Sequence, residues 1–196
     1  FYQELLVRWH KRHRVEQLHA VLDALDATRQ DYAVFILLTD FDTTPEELVE
    51  TLRLLVLAAL PRRRMRIASS PFTIPLYDSQ TRRLLEYRRM LTPERIRHFS
   101  DYERVQPGWM DPLAAELADL ADSELRFALQ LEHRDAALVR AFEVVLERVE
   151  QEREKVGQAA APSERRRVRA EELLDQARRA MDQIKEARFQ GLGPPG

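Results

Sequence analysis

The stretch from Tyr32 to Pro71 reads YAVFILLTDFDTTPEELVETLRLLVLAALPRRRMRIASSP, and its pattern decides the fold. Tyr32–Leu38 is apolar without a break and rich in Val, Ile, Phe and Tyr, which predicts a buried strand. Thr44, Pro45 and Glu47 then form a helix start: an N-cap threonine, a proline where no N–H is needed, and a glutamate placed to close a capping box. That helix is expected to run to about Leu60 and to stop at Pro61. Arg64–Ser69 returns to strand composition before Pro71 and Pro75 end it. Strand, helix and strand in that order predict one βαβ unit, parallel, with a right-handed crossover. Two strands are too few for a stable sheet, so a third is expected from elsewhere in the chain or from a second subunit.

Outside this unit the pattern is helical. Leu5, Leu6, Trp9, Leu18, Val21, Leu22 and Leu25 place Phe1–Arg29 on one amphipathic helix, interrupted by the polar Lys11–Arg14. Ser79–Met90 and Pro93–Phe99 read as shorter helices, and Tyr102–Met110 as a loop around Pro107 and Gly108. Asp111-Pro112 repeats the cap-plus-proline start and opens a helix expected to reach about Val156. Its apolar spacing is near 3.5 residues, broken by Glu124 and Asp135. Gly157–Ser163 is small and proline-bearing and reads as a linker. The last helix, Glu164–Phe189, carries Ala170, Leu174, Ala177, Met181 and Ile184 on a narrow seam that calls for a partner. Gly191–Gly196 reads as a disordered tail.

The expected fold class is therefore α-rich α+β: one small βαβ element packed by long amphipathic helices, ending in a coiled-coil-like helix. Four segments follow, namely 1–30, 31–110, 111–157 and 158–196.

Composition removes several functions. The chain of 196 residues has no cysteine, which excludes disulfides, thiolate metal sites and cysteine nucleophiles. All five glycines lie at or after Gly108, so no Gly-rich phosphate loop exists in the βαβ unit. The net charge of −2 supplies no whole-chain attraction for nucleic acid or anionic membrane. Asn is absent, and Lys occurs only at positions 11, 155 and 185, a bias expected of a high-GC organism. No apolar run approaches the ~20 residues of a membrane span. A cytoplasmic setting is expected from the missing cysteines. The start at Phe1 rather than Met points to an upstream segment, with a leader or anchor left open.

Asp40-Phe41-Asp42-Thr43-Thr44, directly after the first strand, resembles the DxDxT motif that opens the haloacid dehalogenase superfamily. The resemblance implies Asp40 as nucleophile toward phosphate, Asp42 as general acid/base and Mg²⁺ beside them, with Ser69 or Ser70 in the place of the second motif. It covers these few residues only. The family's later basic residue and acidic pair have no counterpart, so the chain is not assigned to it. Asp42 and Thr44 read instead as loop and cap residues feeding a helix N-terminus, where negative charge is favourable.

Other constellations are weaker. His10 and His13 stand three apart, but Lys11, Arg12 and Arg14 would repel a cation, and no metal site is expected. Glu132 and His133, adjacent on the expected helix, should diverge. Basic runs at Arg62, Arg63, Arg64 and Arg66 and at Arg165, Arg166 and Arg167 are candidate phosphate contacts, with Trp9, Tyr87 or Phe99 available to stack on bases. The expected function is a non-enzymatic interaction or assembly module without a cofactor. It would engage a protein partner or a second copy through Ala170, Leu174, Ala177, Met181 and Ile184. The alternative is a metal-assisted phosphoryl-transfer or hydrolytic enzyme using Asp40 and Asp42, with Mg²⁺ and a basic group from Arg82 or Arg83. Arg-mediated nucleic-acid binding is third.

Overall fold

Helix α2 (Pro45–Ala59) begins as its sequence dictates. Thr44 Oγ1 accepts from the Glu47 N–H at 3.2 Å, and Glu47 Oε2 accepts from the Thr44 N–H at 3.0 Å, closing the capping box. The structure is a computed structural model that describes residues 14–40, 42–71, 110–159 and 162–191. The helices expected at Ser79–Met90 and Pro93–Phe99, the residues His10, His13, Trp9, Arg82 and Arg83, and the tail after Gly191 lie outside the described residues.

Strands β1 (Tyr32–Leu37) and β2 (Met65–Ser70) flank α2 and pair in parallel, Tyr32 opposite Met65 through Leu37 opposite Ser70. The expected third strand is not found among the described residues, where the sheet has two. The sheet is also more one-sided than a continuous apolar run predicts. Ile36, Met65 and Ile67 are buried on the core face, while Phe35, on the other face, stays 63% exposed. Successive side chains on a strand point to opposite faces, and α2 packs only one of them.

The remaining elements are α1 (Val15–Ala27), α3 (Pro112–Leu125), a 3-10 turn (Arg126–Leu129), α4 (Arg134–Gln158) and α5 (Glu164–Gly191). The single helix expected over 111–157 is thus two helices. The break falls between Glu124 and Asp135, the charges that interrupt the apolar spacing. A straight helix of that length would extend about 70 Å and leave much of its stripe in water. Folded back, α3 packs on α4 and buries Leu117, Ala121 and Leu125 in the same cluster as Leu138, Phe142 and Val145. The 3-10 turn rests against β2.

α5 departs most from expectation. It runs antiparallel to α4, with Arg166 near Glu152, Arg153 near Glu171 and Arg178 near Glu150. It also lies along α2. Its buried residues are Leu173, Leu174, Ala177, Ala180, Met181 and Ile184, a stripe wider than a two-stranded seam because it fills the groove between two helices. Coiled-coil geometry is not needed to bury it. The residues expected to dock a partner from a separate arm are therefore core residues of this chain, with only Ala170 half-buried. One apolar cluster joins them to Leu22, Ile36, Leu52, Leu117 and Phe142, so the core continues across the expected boundary at 157–158. No helix among the described residues is long and apolar enough to cross a membrane.

Arg134, at the start of α4, is 1% exposed. Its guanidinium donates to the carbonyls of Leu60 at 3.4 Å, Met65 at 3.1 Å and Arg62, and its Nε donates to Asp135 Oδ1 at 2.8 Å. It thereby fastens α4 to the turn between α2 and β2. The Arg62 side chain reaches the other way, donating to Asp23 of α1 and to the Ala58 carbonyl at 2.6 Å. Tyr32 donates its hydroxyl to Asp26 Oδ1 at 2.7 Å. Burial, then the loss of this bond on ionisation, pushes the Tyr32 phenol up to about 12.

Two measurements check this packing. Ending the chain at residue 158 should abolish cooperative urea unfolding, and Ile184→Ala alone should cost about 2–5 kcal/mol; an unchanged transition in the truncation would make α5 a separate arm after all. Arg134→Met should cost about 3 kcal/mol or more by the same assay, because buried carbonyls lose their donors.

Candidate functional site

The turn that carries the chain from β1 into α2 holds the carboxylates singled out in the sequence. Asp40 is fully buried, and its Oδ1 accepts from the Asp42 N–H at 2.9 Å and from the Thr43 hydroxyl at 2.8 Å. Thr43 Oγ1 in turn accepts from the Asp40 N–H at 2.9 Å. The Thr39 hydroxyl donates to the Pro71 carbonyl at 2.5 Å and ties the ends of the two strands together. These bonds satisfy backbone groups that leave the sheet before the helix begins, a local role suited to an aspartate. A nucleophilic carboxylate must meet substrate, and Asp40 presents no surface to it. Asp42 is half-buried beside it.

Ser69 is drawn elsewhere. Its hydroxyl donates at 2.6 Å to Asp122 Oδ1 on α3, and the buried Asp122 accepts from Arg126 Nη2 at 3.1 Å through its other oxygen. This Ser69–Asp122–Arg126 chain links β2, α3 and the 3-10 turn. Sequence reasoning missed Asp122 and Arg126; their i,i+4 spacing was the available signal, and only the fold-back brings them to Ser69. Among the described residues no three His, Asp or Glu side chains gather to hold a metal ion. Glu132 and His133 do not diverge as a helix would make them: they sit in the turn before α4 with 3.4 Å between Oε1 and Nε2.

The arginine runs are spent largely on ion pairs. Arg62 is inside the α1–α2 junction, Arg66 meets Asp31 at 2.9 Å, and Arg64 meets the same carboxylate at 3.8 Å. Arg166 pairs with Glu152 and Arg167 with Glu164, while Arg63 and Arg165 are exposed. Such pairs compete with phosphate for the same donors.

A cleft of about 260 Å³ opens where the N-termini of α2 and α3 meet the α4–α5 pair, lined by Pro45, Asp111, Pro112, Arg166, Arg169 and Leu173 among others. Arg169 bridges it, donating to Glu46 at 2.7 and 3.1 Å and to Asp111 Oδ2 at 3.3 Å. Burial is the largest influence on Glu46 and opposes its ionisation, but the bond and charge of Arg169, the Glu46 backbone N–H and the Thr44 hydroxyl together outweigh it and hold the carboxyl below its ordinary range. The bond to Glu46 correspondingly raises the Arg169 guanidinium. The groups of this cleft satisfy one another and act as a clasp between α5 and the N-termini.

One open apolar surface among the described residues is at the far end of the α3–α4 hairpin. Phe127 is 56% exposed and Leu129 44% exposed on the 3-10 turn. Beside Phe127 runs a shallow groove of about 360 Å³, lined by Glu124, Phe127, His133, Ala136, Ala137 and Arg140. These residues were invisible while the segment read as one helix, since Phe127 and Leu129 fell off its apolar register. Comparison with protein-family models, curated proteins and solved structures gives no match.

The clasp has a pH signature. The folded state depresses the Glu46 pKa, so its contribution is complete above the unfolded value near 4.5 and is lost as pH falls through the folded one. Glu46→Gln should lower stability at pH 7, and the gap to the parent protein should close on acidification below that value. Thermal melts of both proteins across pH 3–7 check it, and a gap independent of pH would remove Glu46 from the clasp.

Proposed function

We propose that this chain is a non-enzymatic interaction or assembly module whose contact surface is the α3–α4 turn. The observation that carries the reading is an exposed aromatic, Phe127, set beside a groove that Ala136 and Ala137 help to line on a helical frame. Exposed aromatics next to apolar grooves are where protein contacts concentrate their energy. The long helices serve this surface by packing into its support rather than by presenting the α5 stripe. The alternative, phosphoryl transfer at Asp40 and Asp42, requires Asp40 to leave its turn bonds and reach solvent. A cytoplasmic setting belongs to the same proposal and rests on the absence of cysteine.

The test places a benzophenone amino acid at position 127 in cells of the source organism, with exposed Arg179 of α5 as the control site. Irradiation should give a discrete cross-linked protein band from position 127 and none from 179. No adduct at 127 would sink the reading. A Mg²⁺-dependent phosphatase activity abolished by Asp40→Asn would transfer the function to the enzyme alternative.

A further inference from the structure

We propose that α1 is a strap held to the body by a charge latch, and that salt releases it while the rest of the fold stays intact. This stands apart from the α3–α4 turn and does not rest on it. Among the described residues every other helix lies along a neighbouring helix, whereas α1 lies along none. Leu22 is its one buried side chain among those described, and Val21 beside it is 56% exposed. A helix that joins the apolar cluster through a single leucine is weakly held by burial alone.

The remaining attachment is ionic. Arg62 belongs to the body: its side chain is 12% exposed and donates to the Ala58 carbonyl. From there it donates to Asp23 Oδ1 and lies 3.5 Å from Asp26 Oδ2, while the Tyr32 hydroxyl donates to Asp26 Oδ1 at 2.7 Å. Both carboxylates stand near the C-terminal end of α1, whose last turn has no basic residue. Negative charge there opposes the helix macrodipole, so the residues that dock α1 weaken it once it is free. A helix of 13 residues is also too short to persist alone in water. Docking and helix formation therefore depend on the same charges. Asp23 is 68% exposed, which leaves the latch open to screening by salt. The Arg62 Nε is buried without a hydrogen-bond partner, so the docked state carries an unsatisfied donor that release returns to water.

The pivot lies just beyond. Arg29 has φ 58°, in the left-handed region, and its N–H donates to the Asp26 carbonyl at 3.1 Å to close α1. Two residues later Asp31 is held to β2 by Arg66 at 2.9 Å. The chain is thus fixed at Asp31 and free to turn at Thr28–Gln30, and letting go relieves a conformation that is costly for a residue with a Cβ. Release uncovers Leu22, the Arg62 guanidinium and the Tyr32 hydroxyl together. The latch converts ionic strength, or an anion competing for Arg62, into exposure of that corner.

Amide hydrogen exchange of the full chain at constant pH tests the proposal, because exchange in a helix reports the opening that frees its N–H groups. Raising KCl from about 0.1 M to about 1 M shortens the screening length from about 10 Å to about 3 Å. The amides of α1 should then exchange about three- to tenfold faster, while the buried amides of α2 and α4 keep their protection. The variant D23N/D26N removes both charges and keeps an acceptor for Tyr32. Its α1 amides should exchange at the fast rate in both salts, again with α2 and α4 unchanged. Both substituted positions are exposed or half-buried, and the salt response of the parent protein tests the latch without any substitution. Protection of α1 equal to that of α2 and α4 overturns the proposal. So does fast exchange indifferent to salt and to D23N/D26N, which marks a frayed helix without a latch. Faster exchange throughout the chain in D23N/D26N overturns it as well, since α1 would then belong to the cooperative core.

Discussion

The guanidinium of Arg134 is the point on which the architecture turns. A buried cation is costly unless its donors are satisfied, and here they reach three main-chain carbonyls and the neighbouring carboxylate of Asp135. Those carbonyls belong to Leu60, Arg62 and Met65, the segment where the chain leaves α2 and enters β2. One side chain therefore fixes where α4 begins relative to the βαβ unit. The position of α4 sets that of α3, which folds back on it, and of α5, which lies in the groove between α4 and α2. Arg62 continues the connection to α1 through Asp23 and the Ala58 carbonyl. The same residue that sequence reasoning offered to a phosphate is thus a joint between two helices.

The polar groups of the molecule fall into two kinds of work. Asp40, Thr43 and Thr39 complete the backbone hydrogen bonding at the sheet exit, and Thr44 and Glu47 do the same at the start of α2. Arg169, Arg53 and Arg178 tie α5 to its neighbours from the half-exposed rim: Arg169 to Glu46, Arg53 to Gln183 and Arg178 to Glu150. Each rim pair contributes little alone, since exposed ion pairs are screened and lose side-chain entropy. Their placement on both sides of the buried stripe matters more, because it selects one register for α5. The apolar residues beneath it supply the larger share of the attachment. Large apolar side chains left exposed among the described residues include Phe127 and Leu129 on the 3-10 turn and Phe35 on the outer face of the sheet.

The βαβ unit was legible in the sequence to within a residue at its strand ends, and the reason is local. Alternation between strand composition, a capping box and a proline stop acts over neighbouring residues, with no need to know what packs on what. The candidate site was legible only as residue types. The pattern Asp40-Phe41-Asp42-Thr43-Thr44 is common to a catalytic loop and to a turn that satisfies its own backbone, and burial separates them. Ser69 could not be assigned either, because its partner Asp122 lies 53 residues away.

The sequence alone determined the α-rich α+β class, the capped helix α2 and its two flanking strands, and the absence of thiol and Gly-loop chemistry. It also determined that α5 must bury a stripe. Only the tertiary structure decided what covers that stripe, because an amphipathic helix declares the face it hides and not the identity of its neighbour. It decided likewise that 111–157 folds back on itself, since a hydrophobic period near 3.5 is shared by one long helix and by two short ones facing each other. The exposure of Phe127 followed from that fold-back: a residue's place on the outside is set by where the rest of the chain goes.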